Sequence, residues 1–244
     1  MSSGIWSAAS GAVAQSTLLD VQANNIANAS TAGFRADRAV FRQVLTRATS
    51  RAGGPSTLQY STVKTVEPDL RAGNIVSTGR PLDVALRGSE GFFAVSTSQG
   101  IRYTRNGSLR VGLDGRVTTQ NGLPYLDPDH KVIKVSPEST VTVNRDGAIL
   151  ADGVVTNSRL LVVGFQNPRG LEKEGDVLLR ARPDAGKVHE VPADLETNAL
   201  EMSNASAVES MTGMVTATRS FDMLSRVIDA FSSTEKQAGQ IMSS

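Results

Sequence analysis

The chain has 244 residues, of which 39% are hydrophobic and 20% are charged, so it contains enough apolar material for a folded core. Its 25 Lys and Arg residues nearly balance its 24 Asp and Glu residues, and a net charge of +1 gives no electrostatic reason to expect nucleic acid or an anionic membrane as the main partner. The absence of cysteine excludes disulfides, thiolate metal sites and cysteine nucleophiles.

The first zone, residues 1–28, predicts a helix that packs against other helices. It contains no Pro, Lys or Arg, and Asp20 is its only acidic residue. Mostly small residues recur at alternating spacings of four and three, which is a heptad pattern; they are Ile5, Ala9, Ala12, Ser16, Leu19, Ala23 and Ile26. Because small residues bury little area, we expect this helix to be weak alone.

The same zone lacks the features of a secretory signal peptide. Its first basic residue is Arg35, and it has no continuous apolar core followed by a cleavage site. No stretch of the chain approaches the roughly 18 consecutive apolar residues of a membrane span. We therefore expect a protein that does not insert into membranes and that, if exported, leaves the cytoplasm without a cleaved signal peptide.

A helix-stop signal ends the first zone. Asn24, Asn25 and Asn28 lead into residues 30–33, Ser-Thr-Ala-Gly, where Gly33 favours a turn if its φ is positive. We place the N-terminal helix within residues 1–34 and a linker or extended segment in residues 35–69.

Residues 70–195 have the pattern of a central β domain. Short alternating runs occur at Ile101–Thr104, Leu109–Leu113, Val132–Val135, Val141–Val143 and Leu160–Phe165. Three pairs, Asn106-Gly107, Asp114-Gly115 and Asp146-Gly147, predict hairpin turns with positive φ. Frequent turns between short strands indicate an antiparallel sheet, sandwich or small barrel.

Residues 196–244 predict a C-terminal helix. Ser206 and Glu209 have the spacing of a capping box, so the helix should begin near Ala207. A second seam, bulkier than the first, has spacings of three and four; its residues are Met214, Ala217, Phe221, Leu224, Ile228 and Phe231. A long helix without internal stops is typical of a coiled coil or an interface helix.

The predicted fold class is therefore α+β, with N- and C-terminal helices paired as a coiled coil and an antiparallel all-β domain inserted between them. Because the N-terminal seam is thin, we expect helices from neighbouring copies to complete its packing, as in a filament subunit. A helical hairpin within one globular domain is the alternative.

Catalytic motifs are missing from the sequence, so we predict no enzyme activity, no metal and no cofactor. The two histidines, His130 and His189, stand apart among polar residues and should be exposed. We assign Asp127-Pro128-Asp129 to a turn, since the later ligands of a calcium loop are missing. Glu172 and Glu174 fit a surface hairpin better than a glycosidase pair.

One basic run remains, and it consists of Arg35, Arg38, Arg42, Arg47 and Arg51. Without interleaved aromatic residues or a surrounding nucleic-acid-binding module, it predicts a solvated or subunit-facing surface.

Three stretches of the sequence contain recognisable motifs. Residues 24–35 read NNIANASTAGFR, which resembles the signature that closes the first helix in the flagellar rod, hook and hook-associated proteins and includes Asn24, Asn25, Asn28, Gly33 and Phe34. Residues 78–86 (TGRPLDVAL), 91–95 (GFFAV) and 103–107 (YTRNG) resemble the core of the rod and hook β domain. Residues 200–204 (LEMSN) with 214–221 resemble the closing helix.

The resemblance implies a structural subunit of the bacterial flagellar basal body, a periplasmic rod protein exported by the flagellar type III apparatus. The length of the chain and the amino-acid sequence of residues 80–86 are most similar to those of proximal rod proteins. Distal rod proteins are the close alternative. Expected partners are other rod proteins, proximal and distal, copies of the same chain, and the export apparatus. The residues expected to form the coiled coil and assembly interface are Ile5, Ala12, Leu19, Ala23, Ile26, Met214, Ala217, Phe221, Leu224, Ile228 and Phe231.

Two other classes remain open. A secreted coiled-coil protein with a β head, such as an adhesin, predicts a cleavable signal. A cell-wall enzyme predicts paired buried carboxylates or a metal site in the β domain.

Overall fold

The computed structural model describes residues 3–49 and 55–242, in which two helices flank a long series of strands. The helices are α1 (Ser3–Ala27) and α2 (Ala207–Met242). The strands are β1 (Asp37–Thr49), β2 (Pro55–Pro68), β3 (Ile75–Ser77), β4 (Val84–Leu86), β5 (Phe92–Thr97), β6 (Gly100–Thr104), β7 (Arg110–Val111), β8 (Val117–Thr118), β9 (Val141–Val143), β10 (Ala148–Ala151), β11 (Val154–Arg159), β12 (Val162–Phe165), β13 (Leu171–Glu174), β14 (Leu178–Ala181), β15 (Val188–Glu190), β16 (Leu195–Thr197) and β17 (Ala199–Glu201). The predicted α+β class with a large antiparallel β region is confirmed. Neither helix, over the part of the chain that the structure describes, is apolar enough along its length to cross a membrane.

The chain divides into two compact units. The helical unit contains α1, β1, β2 and α2, and the β unit contains residues 28–36 and 68–205. These boundaries differ from the predicted ones at two places. Residues 37–68 contain β1 and β2, which form a two-stranded sheet where we expected a linker or extended segment. Residues 196–205 lie in the β unit because β16 and β17 pair there with β4 and β3.

The β unit is built on a six-stranded antiparallel sheet in the order β13-β14-β6-β5-β12-β15. The central strand β5 alternates its side chains between two core clusters, since successive strand residues point to opposite faces. Phe93 and Val95 pack in one cluster, while Phe92 and Ala94 pack in the other. Both faces of this sheet are therefore buried at its centre.

Two of the three predicted hairpin turns are confirmed. Gly115 lies between β7 and β8 with a φ of 74°, and Gly147 lies between β9 and β10 with a φ of 80°. The Asn106-Gly107 hairpin is wrong, because β6 pairs with β5 and β14 instead of β7. A Cβ on Gly107 would lie 1.8 Å from Val84 O, so this glycine permits a close approach of two backbones.

The other short predicted runs have mixed outcomes. Val141–Val143 forms β9 as predicted, whereas Val132–Val135 makes isolated bridges to neighbouring segments instead of a strand. Glu172 and Glu174 lie in the antiparallel hairpin of β13 and β14, which confirms the surface hairpin. Both histidines are exposed, as predicted.

The start of α2 agrees with its sequence signal. Ser206 Oγ accepts a hydrogen bond from Glu209 N at 3.3 Å, and the helix begins at Ala207. This bond satisfies one of the four backbone donors that a helix leaves unpaired at its N-terminus.

Candidate assembly surfaces

The helices α1 and α2 contact each other in antiparallel orientation, at positions where α1 has no side chain. A Cβ on Gly4 would lie 2.9 Å from Phe231 Cζ, and a Cβ on Gly11 would lie 3.2 Å from Leu224 Cδ1. Residues near the start of α1 therefore contact residues nearer the end of α2, as in an antiparallel pair. Because glycine lacks a Cβ, these two positions let the large α2 side chains lie directly against the α1 backbone.

The predicted seam residues of α2 lie on its less exposed side. Ala217 is buried, and Phe231 has an exposed fraction of 37%. The others, Met214, Phe221, Leu224 and Ile228, are half-buried. Their spacing of three and four keeps them on one face of the helix, which is the face that meets α1.

The predicted residues of α1 are distributed differently. Ala12 is buried, Ile5, Ala9, Leu19 and Ile26 are half-buried, and Ser16 and Ala23 are exposed. Gly4 and Gly11, which contact α2, each precede a predicted seam position by one residue, which corresponds to a rotation of about 100° around the helix. The sequence did not predict which face of α1 meets α2, because Gly, Ala and Ser are all small enough to face a partner helix.

Large apolar side chains remain exposed on both helices. On α1, Trp6 is 61% exposed and Val13 is 67% exposed, and their seven-residue separation places them on one face. On α2, Val208, Met211 and Val215 are more than half exposed at spacings of three and four. Exposed apolar residues grouped on one face are typical of a surface that contacts another protein.

The first half of the turn motif fastens the end of α1 to β1 within the helical unit. Asn25 is buried, and its side chain pairs with the backbone of Asp37 through Nδ2 to O at 3.0 Å and Oδ1 to N at 2.7 Å. Asn24 Nδ2 donates to Asp37 Oδ2 at 2.6 Å. The two asparagines thus fix how the chain returns alongside the helix that it has just left.

The second half of the motif lies in the β unit. Asn28 Oδ1 accepts a hydrogen bond from Thr31 Oγ1 at 3.1 Å. The φ of Gly33 is 72°, as the turn requires, and a Cβ there would lie 2.2 Å from Asn106 N. Phe34 is fully buried, with Lys173 Nζ 3.7 Å from its ring centroid. Glycine at position 33 is therefore required by both φ and space.

The β unit also contains a buried ion cluster that the sequence did not reveal. Glu201 bonds Arg35 at 2.7 Å and Arg105 at 3.2 Å, and each side chain is 2% exposed or less. Burial lowers the pKa of Arg105 to about 10, an effect that the nearby Glu201 carboxylate opposes. The expectation that Arg35 belongs to a solvated basic surface is thus wrong, because its guanidinium is needed to pair with Glu201. Arg51 and the side chains of Arg42 and Arg47 lie outside the described residues.

Two carboxylates elsewhere in the β unit form ion pairs at the surface. A hydrogen bond from Arg180 lowers the pKa of Glu172, and one from Arg145 lowers the pKa of Asp194. Both carboxylates are therefore held in their ionised form, which is unsuited to a general acid. Over the residues that the structure describes, no group of three or more His, Cys, Asp or Glu could hold a metal ion.

Family models match three separate parts of the chain. Residues 5–35 match the flagella basal body rod protein model, and residues 85–151 match the D1 domain of the flagellar hook protein FlgE/F/G. Residues 196–241 match the C-terminal model of the flagellar basal body rod FlgEFG proteins. The three matches lie on α1 with its turn, on the β unit, and on the segment that includes α2.

Individual proteins match nearly the whole chain. The flagellar basal-body rod protein FlgF of Caulobacter vibrioides is 30% identical over 212 residues, which cover 86% of each chain. FlgF of Salmonella typhimurium is 34% identical over 91% of each chain. FlgG of Bacillus subtilis is 30% identical over 92% of this chain and 93% of its own.

Proposed function

Since the chain belongs to the family of flagellar basal-body rod proteins, we propose that it polymerises through α1 and α2 into the tubular drive shaft of the rod. Its function is that of a structural rod subunit, and no catalytic step is part of it. The main support for this mode of assembly is that large apolar side chains of the helical unit remain exposed. Trp6, Val13 and Met223 are each at least 60% exposed on helices that already contact each other.

Within this mode, α1 and α2 of one subunit pair as an antiparallel coiled coil. The larger side chains Phe221, Leu224 and Ile228 come from α2, and α1 contributes small residues. The predicted α1 positions Ile5, Leu19 and Ile26 lie to one side of the glycines that contact α2. They are placed to meet a helix of a neighbouring subunit, and Ala23 is exposed on the same side.

The proposed partners are copies of this chain and other rod proteins, reached through the packed helices and the β unit. The protein would lie in the periplasmic part of the basal body and would be exported by the flagellar type III apparatus without a cleaved signal peptide. A helical unit that becomes fully ordered only with neighbours fits this route, because contacts made on assembly offset the loss of chain entropy.

We propose that the protein lies in the proximal part of the rod, because the sequence of residues 80–86 is most similar to that of proximal rod proteins. The distal rod is the alternative, since the matching relatives are named as basal-body rod proteins without a position in the rod. Expression in strains that lack either the proximal or the distal rod protein distinguishes the two positions by which strain swims again.

The variant Leu224→Asp tests assembly through the helices. Leu224 lies against Gly11, so a carboxylate there is forced into an apolar contact without a partner. We expect no rod assembly and no swimming, with the β unit still folded. Swimming is scored in soft agar, and the β unit is checked by near-ultraviolet circular dichroism of the purified variant.

The matched control is Leu224→Met, which conserves volume and apolar character, so it should swim normally. Normal swimming of the Leu224→Asp strain would refute assembly through this helix pair.

A further inference from the structure

The sequence contains two Asn-Gly pairs, Asn106-Gly107 and Asn121-Gly122, and both lie in the β unit. In such a pair, the backbone nitrogen of the glycine can attack the side-chain amide of the asparagine that precedes it. Glycine favours this reaction because it has no Cβ to obstruct the approach. Asparagine is accordingly counted among the thermolabile residues of proteins. The surroundings of each pair decide whether the reaction proceeds in the folded chain.

Asn121 and Gly122 lie at the exposed tip of a short turn. Gly122 N donates a hydrogen bond to Thr119 O at 3.0 Å, and Thr119 N donates to Leu123 O at 2.8 Å. The side chain of Asn121 makes no hydrogen bond to any residue that the structure describes. A Cβ on Gly122 would meet no described heavy atom within 4 Å beyond its chain neighbours. The tip of this turn therefore has space for a ring to form.

The hydrogen bond on Gly122 N must break before this nitrogen can react. It is a single bond at an exposed turn, and such turns open locally at a free-energy cost far below that of global unfolding. Opening frees the nitrogen, and the unbonded side chain of Asn121 can then rotate onto it. The β core stays folded throughout.

The pair Asn106-Gly107 has the opposite surroundings. Asn106 Oδ1 accepts a hydrogen bond from Ser108 N at 2.9 Å, and Asn106 O accepts one from Tyr125 Oη at 2.7 Å. Gly107 is buried, and its carbonyl oxygen accepts a hydrogen bond from Val84 N at 3.0 Å. Because a Cβ on Gly107 would lie 1.8 Å from Val84 O, there is no space for a ring. Reaction at this pair requires unfolding of the β core.

We propose that Asn121 is a site of spontaneous deamidation in the folded protein, whereas the fold protects Asn106. The deprotonated Gly122 nitrogen attacks Asn121 Cγ, and the new bond closes a cyclic succinimide. The bond from Cγ to Nδ2 breaks, and Nδ2 leaves as ammonia. Water then opens the ring. Cleavage between Gly122 N and Cγ gives aspartate, and cleavage between Gly122 N and the main-chain carbonyl carbon of Asn121 gives isoaspartate.

The reaction changes the wall of a cavity of about 310 Å³ in the β unit. Asn121 lines this cavity together with Asp176 and with Asn28 and Thr31, which belong to the turn that follows α1. Both products carry a carboxylate, so each conversion adds a negative charge to a wall that Asp176 already lines. Isoaspartate also lengthens the backbone of the turn. The cavity of an aged molecule therefore differs in charge and shape from that of a new one.

Timed incubation of the purified full-length protein in a mildly alkaline buffer tests this proposal. Deamidation replaces an amide by an acid, and mass spectrometry reads the resulting mass gain separately for the peptides that contain Asn121 and Asn106. In the native protein, the rate at Asn121 should exceed the rate at Asn106 by at least about a hundredfold, because only global unfolding releases Asn106. In denaturant, the two rates should lie within about threefold of each other, since the fold then protects neither pair.

The variant Asn121→Gln removes the site, because the longer side chain closes a ring far less readily. Isoelectric focusing of the aged variant should lack the acidic form that accumulates in the unaltered protein. Asn157→Gln is the matched control, since Asn157 is also exposed but precedes Ser158 instead of a glycine. This control should accumulate the acidic form as the unaltered protein does.

Equal rates at Asn121 and Asn106 in the native protein would overturn the proposal. An undiminished acidic form in the Asn121→Gln variant would also contradict it. The reaction takes place in the monomer, so neither result depends on polymerisation.

Discussion

The two units of the molecule reach very different degrees of internal packing. In the β unit, Phe93, Tyr125 and Ile133 are fully buried in one cluster, and a second cluster fills the other face of the sheet. In the helical unit, the buried apolar residues are small, such as Ala8 and Ala12. Among the side chains of that unit that the structure describes, the larger apolar ones on the two helices remain half-buried or exposed, apart from Val21.

This difference indicates a division of labour within one chain. The β unit completes its core with its own residues, because β16 and β17 return from the C-terminal side to pair with β4 and β3. The helical unit supplies glycines and alanines where its helices meet, and it presents large apolar residues outward. Such a unit still has apolar surface to bury, which is the property expected of the polymerising segment that we propose.

The largest effect on the monomer should follow from breaking the β core. Phe93 is fully buried, with its ring 6.0 Å from that of Tyr125 in an edge-to-face contact. Phe93→Ala should reduce the free energy of unfolding of the β unit by about 3–5 kcal/mol. Denaturant unfolding followed by near-ultraviolet circular dichroism measures this loss.

Leu113→Ala is the control for that measurement, because Leu113 is fully exposed in a turn of the same unit. It should change the free energy of unfolding by less than about 0.5 kcal/mol. Similar losses for both variants would show that the β unit does not depend on its buried cluster.

The sequence predicted the regular elements because their signals are local. Each signal depends on residues that are close together in the sequence. Examples are the Ser206 cap, the Asp114-Gly115 and Asp146-Gly147 turns, and the heptad spacing of α2. The half-buried side of α2 coincides with the predicted seam, and the role of that seam in assembly stays a prediction. The prediction of a hairpin at Asn106-Gly107 was wrong because Gly107 instead lies against the backbone of Val84 in β4, which is distant in sequence.

The sequence did not predict features that depend on distant residues. Arg35 and Glu201 are separated by 166 positions, so their pairing left no spacing pattern. The rotation of α1 depends on which α2 side chains reach it, and small residues on several faces of α1 allow more than one choice. A charged residue such as Glu201 within a short strand was the one available signal for a buried partner.

A smaller effect on the monomer should follow from crowding the helix contact. A Cβ on Gly11 would already lie 3.2 Å from Leu224, so Gly11→Leu forces α1 and α2 apart. We expect a loss of about 1–3 kcal/mol in the stability of the helical unit, with the β unit unaffected. Thermal melting of the helical circular-dichroism signal measures this change.

Val13→Leu places the same side chain on the exposed side of α1, two residues along. It should leave the helix melting temperature of the monomer within one or two degrees of the original value. If both substitutions lower that temperature equally, the glycine face of α1 does not contact α2.

The smallest effect on the stability of the monomer should come from Trp6→Ser. This variant separates the stability of the monomer from its ability to assemble. Trp6 is 61% exposed, so its replacement should change monomer stability by less than about 0.5 kcal/mol. Burial by a neighbouring subunit would make the same side chain a large contributor to polymerisation, since aromatic residues dominate interface energies. We therefore expect unchanged unfolding curves together with weakened rod assembly and swimming. A Ser7→Ala variant, at the neighbouring exposed position of α1, should leave both unchanged. Full motility of the Trp6→Ser strain would mean that this face stays in solvent in the rod.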